Sequence, residues 1–542
     1  MIRLLAAVSS FRPLSQRCIG RLFSSTAPHG TSTDSWDYDV IILGGGIVGA
    51  SLACSLAENV GQRHGMKIAL LEIRPPPPLA ACLAPDRLPD PRVYALAPAS
   101  VAFLESLGAW QLIKDRKRDY QYMQVWEGGG SGSIRFDAAK AKVMGLGSTR
   151  AEGSNGEGKE RKKLGTMAEN STLQAALFQC MISLQAQGLL EVLCPVQVEA
   201  IAFDTSGTDP TGPARVTWAG KDGVRSQVTT RLLVGADGAA SRVKKARGLP
   251  SWGWDYAQRA VVATVSLDEQ ADAADAPSPR PSTTLSANKL SHSSSSPATA
   301  WQTFLPQGPL AFLPLWGPYH SIVWSTTPAE ADRLKALPRE AFLAELNAKL
   351  QCPIGLLDPP SFPSYVPQPL VKALVGAHHL VESVVVSAAL SQGFHVAPIV
   401  RDVCGPRLSF DLRAEHASAY VGARAALVGD AAHTIHPMAG QGLNLGLADA
   451  MALSTLIEAG VVEGQDVGSP LFLRRYQNAR QAANLGMLGG LTALHGLFGR
   501  KEGSWRWLRN VGLGTLNALD PVKAKMAEVA MGVNSGGGRQ GM

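Results

Sequence analysis

Asp39-Val-Ile-Ile-Leu43 runs without interruption into Gly44-Gly45-Gly46-Ile47-Val48-Gly49, and then into Ala50-Ser-Leu-Ala-Cys-Ser-Leu-Ala57. A short apolar run, a glycine cluster and a longer stretch of small apolar residues read as buried strand, tight turn and helix. In the pattern G-x-G-x-x-G, Gly44 permits the turn and Gly46 lets backbone approach a pyrophosphate. Gly49 lets the helix lie close on the strand. The helix N-terminus then offers free N–H groups and a partial positive charge to phosphate oxygens. A second apolar run, Lys67-Ile-Ala-Leu-Leu71, ends at Glu72, 23 residues after Gly49. An acidic side chain there can accept hydrogen bonds from both ribose hydroxyls of a dinucleotide.

Two further glycine segments follow strand-like runs. Leu232-Leu-Val234 leads into Gly235-Ala236-Asp237-Gly238, where Asp237 can brace the turn through backbone hydrogen bonds. Ala425-Ala-Leu-Val428 leads into Gly429-Asp430, then Pro437, Gly440-Gln441-Gly442 and Asn444. Asp430 is placed to accept from a polyol chain. Gly440 and Gly442 let backbone run against a flat ring, and a helix starting near Leu443 directs its positive end at that ring. The three segments together point to a flavin dinucleotide.

At 542 residues and 45% hydrophobic, the chain can bury a large core and divide into two or three domains. Its net charge of +7 invites a nucleic-acid reading, but Arg3, Arg12, Arg17 and Arg21 supply four of those charges. No basic stripe remains, and no nucleic-acid partner is expected. These arginines stand in a Ser-, Leu- and Ala-rich segment without an acidic residue before Asp34, the composition of a mitochondrial or plastid transit peptide over residues 1–30; Ile2, Leu4, Leu5, Leu22 and Phe23 interleaved with arginine favour the mitochondrial one. The seven cysteines are scattered without a C-x-x-C, so neither a zinc site nor a disulfide framework is indicated. His433 and His436 have H-x-x-H spacing but no evident third ligand, which favours structural or substrate-side roles over a metal.

The cofactor-binding pieces are interrupted by others. Residues 36–118, 167–250 and 400–460 are expected to form a discontinuous dinucleotide-binding domain, and 119–144 and 251–399 a substrate domain. Residues 145–165 and 268–298 lack apolar periodicity and read as insertions. Residues 461–542 are expected to be helical. Within the last part, Leu485 to Phe498 is apolar between Arg480 and Arg500. It is shorter than the roughly 18 to 20 residues a span requires, leaving a membrane-surface contact or a helix packed on the body.

The ordered set resembles the class A flavoprotein aromatic hydroxylases, the relatives of para-hydroxybenzoate hydroxylase. Gly429-Asp430-Ala-Ala-His433, Pro437, Gly440-Gln441-Gly442-Leu-Asn444, Gly446 and Asp449-Ala450 are similar to the signature of the ubiquinone-biosynthesis hydroxylases. Asp90-Pro-Arg92-Val-Tyr-Ala-Leu96, Met123-Gln-Val-Trp126, Glu169-Asn170 and Trp301-Gln are similar to segments of the mitochondrial branch. The resemblance implies an α/β fold in which a Rossmann-like FAD-binding domain is interleaved with an α+β substrate domain, followed by a helical C-terminal region. It implies FAD as cofactor and O2 as co-substrate, with hydroxylation at ring carbon 5 of a 3-polyprenyl-4-hydroxybenzoate through a flavin C4a-hydroperoxide. By the same resemblance, electrons arrive from ferredoxin and ferredoxin reductase, with NADPH acting directly left open. The partners implied are other ubiquinone-biosynthesis enzymes in a complex, and the location is the matrix side of the mitochondrial inner membrane. Arg92 is expected to offer a cation near the flavin or else to form a surface salt bridge. Gln174 matches a flavin-bonding position or faces solvent. Two alternatives stand beside this reading: a flavin hydroxylase of another phenolic or lipid substrate, and a flavin-binding scaffold.

Overall fold

The computed structural model describes residues 36–140, 162–203, 212–221, 223–268, 298–354, 367–391, 393–437 and 440–499, with isolated residues between 509 and 523. The expected transit peptide and most of the two expected insertions lie outside these.

Tyr38–Leu43 is the centre of an eight-stranded sheet, flanked in parallel by Ile68–Leu71 on one side and Arg225–Gly235 on the other. Beyond Arg225–Gly235 comes Ala425–Leu427, also parallel. Val40, Ile41, Ile42, Leu70 and Leu233 are fully buried, so both faces of this sheet are covered. That double burial is why these strands read as unbroken apolar runs. Register aligns the strand ends: Leu43 stands opposite Gly235, and Gly235 stands opposite Leu427. The three glycine segments therefore leave the carboxyl ends of three adjacent parallel strands, where open α/β sheets bind their ligands.

A second eight-stranded sheet runs in the order His433–Thr434, Asp402–Ala417, Ser251–Ser266, Tyr319–Thr326, Gly308–Pro314, Thr299–Leu305, Tyr122–Glu127 and Ser133–Asp137. Asp402–Ala417 pairs along nearly the whole length of Ser251–Ser266, so it belongs with this sheet and not with the flavin-side sheet assigned to 400–460. It alternates exposed Asp411 and Arg413 with buried Leu412 and Ala414, as a strand with one covered face does. Pro328–Ala336 and Arg339–Leu350 cover one face of the sheet, packing Leu334, Phe342, Leu346 and Leu350 on Val261, Phe312 and Trp324.

A three-stranded sheet of Val93–Leu96, Gly165–Glu169 and Lys117–Tyr120 lies between these pieces in sequence. It corrects the end of the first expected insertion. Leu164 is buried and Gly165 starts a strand, with a Cβ at Gly165 falling 2.6 Å from the Leu96 carbonyl oxygen. The helical C-terminal expectation holds through Pro470–Gly499. Within it Leu488 and Leu491 are buried with Ala414, Ile435 and Leu445, and Phe498 stacks on Phe304 at 3.6 Å. The Leu485 to Phe498 stretch is thus packed on the body.

Candidate active site

The first glycine turn is built by contact with the second. Gly44 has φ +108°, and a Cβ there would stand 2.5 Å from the Ala236 carbonyl oxygen. At Gly49 a Cβ would fall 2.0 Å from the Gly44 carbonyl oxygen, which is the close helix-on-turn approach expected from the sequence. Gly46 differs from both. Its φ of −64° suits any residue, and a Cβ there meets no heavy atom within 4 Å. Neither conformation nor protein packing demands glycine at 46, and the space above it is open. Gly46 caps Ile47–Leu56, and no side chain caps that helix N-terminus. Glu72 and Gln174 converge on the same turn: the Gly45 amide donates to Glu72 Oε2 at 2.6 Å, and Gln174 Nε2 donates to the Gly45 carbonyl at 3.4 Å. Gly49→Ala should therefore destabilise the fold itself by about 3 kcal/mol or more, since backbone has to move. A fall in the thermal midpoint, with or without flavin, checks this.

In the second segment, Asp237 Oδ2 accepts from the Arg242 amide at 2.6 Å, bracing the turn as expected, while its Oδ1 is buried without a partner. Burial raises this carboxyl above the ordinary range. Gly238 takes φ +80° with open space at its Cβ position.

The third segment touches the first. A Cβ on Gly429 (φ +59°) would lie 3.3 Å from both γ carbons of Val48, and one on Gly446 would lie 2.7 Å from Val48 Cγ2. Asp430 is exposed, yet desolvation by the protein around it raises its carboxyl pKa. Neighbouring Tyr94 is pushed to about 12, first by burial and then by the charge of Asp430. The Gly440 amide donates to the Pro437 carbonyl at 2.9 Å, closing a turn in which Gly440 takes φ +60° against Ala95. Gln441 and Gly442 then open the helix Gly442–Val462. Asn444 has no free valence for a ligand. Its Oδ1 accepts from the Ala97 amide and Ser100 Oγ, both at 2.8 Å, and its Nδ2 donates to the carbonyls of Ala95 (2.8 Å) and Gly440 (3.2 Å). It clamps the third turn to the 93–100 chain. Arg92 is largely exposed, with Nε 3.7 Å from Asp90 Oδ1, the salt-bridge alternative.

The family model described as an FAD binding domain matches residues 37–359 and 384–487. The mitochondrial ubiquinone biosynthesis monooxygenase COQ6 of Xenopus tropicalis is 31% identical, over 94% of this chain and 95% of its own. The chain belongs to the ubiquinone-biosynthesis monooxygenase family. Another relative, the 3-demethoxyubiquinol 3-hydroxylase of Escherichia coli (strain K12), is 28% identical over 91% of this chain and 98% of its own. Among solved structures, p-nitrophenol 4-monooxygenase PnpA from Pseudomonas putida DLL-E4 shares the fold, with a TM-score of 0.60 at 17% identity, covering 93% of this chain and 99% of that one.

For a member of this family the cradle fits FAD. Three turns meet at one sheet edge, an uncapped helix N-terminus faces open space at Gly46, and a second helix begins at the third turn. FAD is the cofactor, and the chain is an FAD-dependent monooxygenase.

The residue that sequence reasoning missed in this monooxygenase is Asp449, quoted in the signature but given no role. It is fully buried. One oxygen accepts from the Gly429 amide at 3.1 Å and pairs with His433 Nε2 at 2.6 Å; the other accepts from Arg480 Nε at 2.8 Å and Asn484 Nδ2 at 3.2 Å. Burial works to raise its carboxyl, but His433 and Arg480 outweigh it and hold the pKa below the usual range. Asp449 therefore ties the Gly429-Asp430 turn to the C-terminal helix. Its signal was a carboxylate inside an apolar helical run, where burial is not tolerated without partners. His433 is accounted for by this bond, and no cluster of three metal-ligating side chains occurs among the described residues.

His436 precedes the third turn and is fully buried, 3.3 Å from Gln258 Oε1, with its ring against Tyr256 and His495. Burial, then the charge of His495, lowers its pKa to about 4. Unfolded, it would take a proton near 6.5, so the unfolded state binds more protons between those values. Stability contributed by the neutral ring is present above 6.5 and lost as pH falls toward 4, by on the order of 3 kcal/mol. Thermal midpoints and FAD retention are both expected to fall across that window. A His436→Gln protein should show a shallower slope; an equal slope would remove His436 as the cause.

Proposed function

We propose that this enzyme hydroxylates ring carbon 5 of a 3-polyprenyl-4-hydroxybenzoate in ubiquinone biosynthesis, with FAD and O2, in the mitochondrion. Within the mitochondrion we place it peripherally on the matrix side of the inner membrane, alongside other ubiquinone-biosynthesis enzymes and supplied with electrons by ferredoxin and ferredoxin reductase. The observation that carries the reading is the side-by-side register of Leu43, Gly235 and Leu427, which brings three glycine turns to one sheet edge.

Each residue then has a task. The N–H groups opening Ile47–Leu56 hold the pyrophosphate, and Gly46 gives it room. Glu72 exchanges its bond to the Gly45 amide for ribose hydroxyls, and Gln174 steadies the same turn. Asp430 accepts from the ribityl chain, while Asp237 and Gly238 shape the second turn. Backbone at Gly440, Gln441 and Gly442 would hold the ring, with Pro437 setting the turn. The positive end of Gly442–Val462 favours negative charge at the ring edge nearest it. FAD, when bound and reduced, supplies the oxygen activation; the protein positions the phenol and excludes water.

The test is turnover of a prenylated 4-hydroxybenzoate under isotopically labelled O2, with electrons from NADPH alone or from NADPH with ferredoxin and its reductase. The expected product carries one labelled oxygen on carbon 5, formed only with the ferredoxin chain. The bacterial relative is named for another ring position, so hydroxylation elsewhere on the ring would keep the chemistry and move the pathway step. Absence of any ring hydroxylation would leave the scaffold alternative.

A further inference from the structure

We propose that the outward face of the helix Gln368–Ser391 docks this enzyme on a phospholipid bilayer surface. The helix has a mean hydropathy of 1.5 over its most apolar 18 residues. One stripe is spent on the protein: His378, Glu382 and Ala389 are buried, and Ala389 and Val386 pack on Trp126, Ile354 and Phe394. A second face is apolar and uncovered. It carries Leu370, Ala373, Leu374, Ala377, Leu380 and Val384, of which the four large side chains are 50%, 41%, 66% and 60% exposed. At about 100° per residue these six cover about 120° of the helix surface. A third side carries Lys372, His379, Ser383 and Ser387, with Leu390 at its C-terminal end, all exposed.

The width and charge of the uncovered face select its occupant. A coiled-coil partner would meet a narrower seam bordered by charges of both signs that set its register. Here the helix has two formal charges, and Glu382 is buried. The exposed charge is a single cation, Lys372, on the side next to the apolar face. That is the arrangement of a helix lying in a lipid boundary, with apolar side chains in the acyl region and a cation and hydroxyls among headgroups. The helix does not span, because its His378–Glu382–Ala389 side is held against the protein. The choice of a membrane rests on the lipid-borne substrate proposed above, which would have to be drawn from a bilayer. The surface differs from the Leu485 to Phe498 stretch, whose inner side is packed on the body.

The experiment is flotation of the full-length, FAD-loaded enzyme with vesicles of phosphatidylcholine, phosphatidylethanolamine and cardiolipin. Wild type should float, and Leu380→Gln/Val384→Gln should lose vesicle binding at least about tenfold, because two exposed apolar side chains no longer enter lipid. FAD content should be unchanged. Ser383→Gln/Ser387→Gln, on the polar side, should float as wild type does. If the first pair misfolds, Leu370→Gln/Leu374→Gln tests the same face. A wild type that does not float, or apolar-face variants that float equally, would overturn the proposal. A dimer that dissociates in those variants, with flotation unchanged, would assign the face to a second copy of the chain. Turnover of a short-chain, water-soluble phenol separates the two readings: vesicle binding without hydroxylation of any phenol would sink the substrate and keep the docking helix.

Discussion

Gly46→Val is expected to purify folded and colourless. At 46 the backbone is in a region valine adopts freely, and the added side chain meets no protein atom within 4 Å. The cost to the fold is limited to replacing glycine at a helix N-cap, on the order of 1 kcal/mol, and a shift in thermal midpoint of no more than about 4 °C. Two methyl groups would nevertheless stand in the space the proposed site gives to the pyrophosphate, so FAD occupancy should fall to near zero. Gly44→Ala and Gly49→Ala make the informative contrast. There the new Cβ strikes the Ala236 or Gly44 carbonyl, and stability falls together with flavin binding. Absorbance of the bound flavin and a melting curve on the three proteins separate a ligand clash from a folding defect. A yellow, stoichiometrically loaded Gly46→Val would remove the first turn from the cofactor site.

The second large effect is expected at Asp449. Asp449→Ala leaves Arg480 buried without its carboxylate and His433 without its partner, and frees the Gly429 amide. Breaking a buried pair from one side costs about 3–5 kcal/mol. Because Gly429-Asp430 is the turn released, FAD affinity should fall as well. Asp449→Asn retains an acceptor for Arg480 and should recover part of the stability. Denaturant titrations of the three proteins test this, and an Asp449→Ala protein as stable as wild type would show that the network is dispensable. The depressed carboxyl of Asp449 adds its own pH dependence: its stabilisation is present above its unfolded pKa near 4 and is lost as pH falls below that.

The glycine turns were legible because each carries a local demand that one residue type meets. Gly44, Gly429 and Gly440 sit at positive φ, and Gly49 has backbone where a side chain would be. The strands feeding them were legible because burial on both faces leaves no polar positions. Asp449 and Arg480 were not, since the partners lie 31 residues apart on different helices and nothing local pairs them. Gln368–Ser391 escaped because apolar residues on two of its faces blur the one-sided pattern that marks a surface helix. Asp402–Ala417 was not legible as a strand of the substrate-side sheet, because polar residues on its open face and register shifts against Ser251–Ser266 interrupt the alternation. Asn444 clamps the third turn to Ala95, Ala97 and Ser100, which lie 349, 347 and 344 residues away in sequence, so nothing local announces the contact.

Convergence of the three turns on a single flavin is most directly tested by hydrogen–deuterium exchange of the FAD-free protein titrated with FAD. Slower exchange is predicted in Gly44–Val48, in Asp237–Gly238 and in Gly440–Asn444, all reaching half effect at the same FAD concentration. Slowing confined to the first of these stretches, or appearing in the three at different concentrations, would contradict the site as built from this fold.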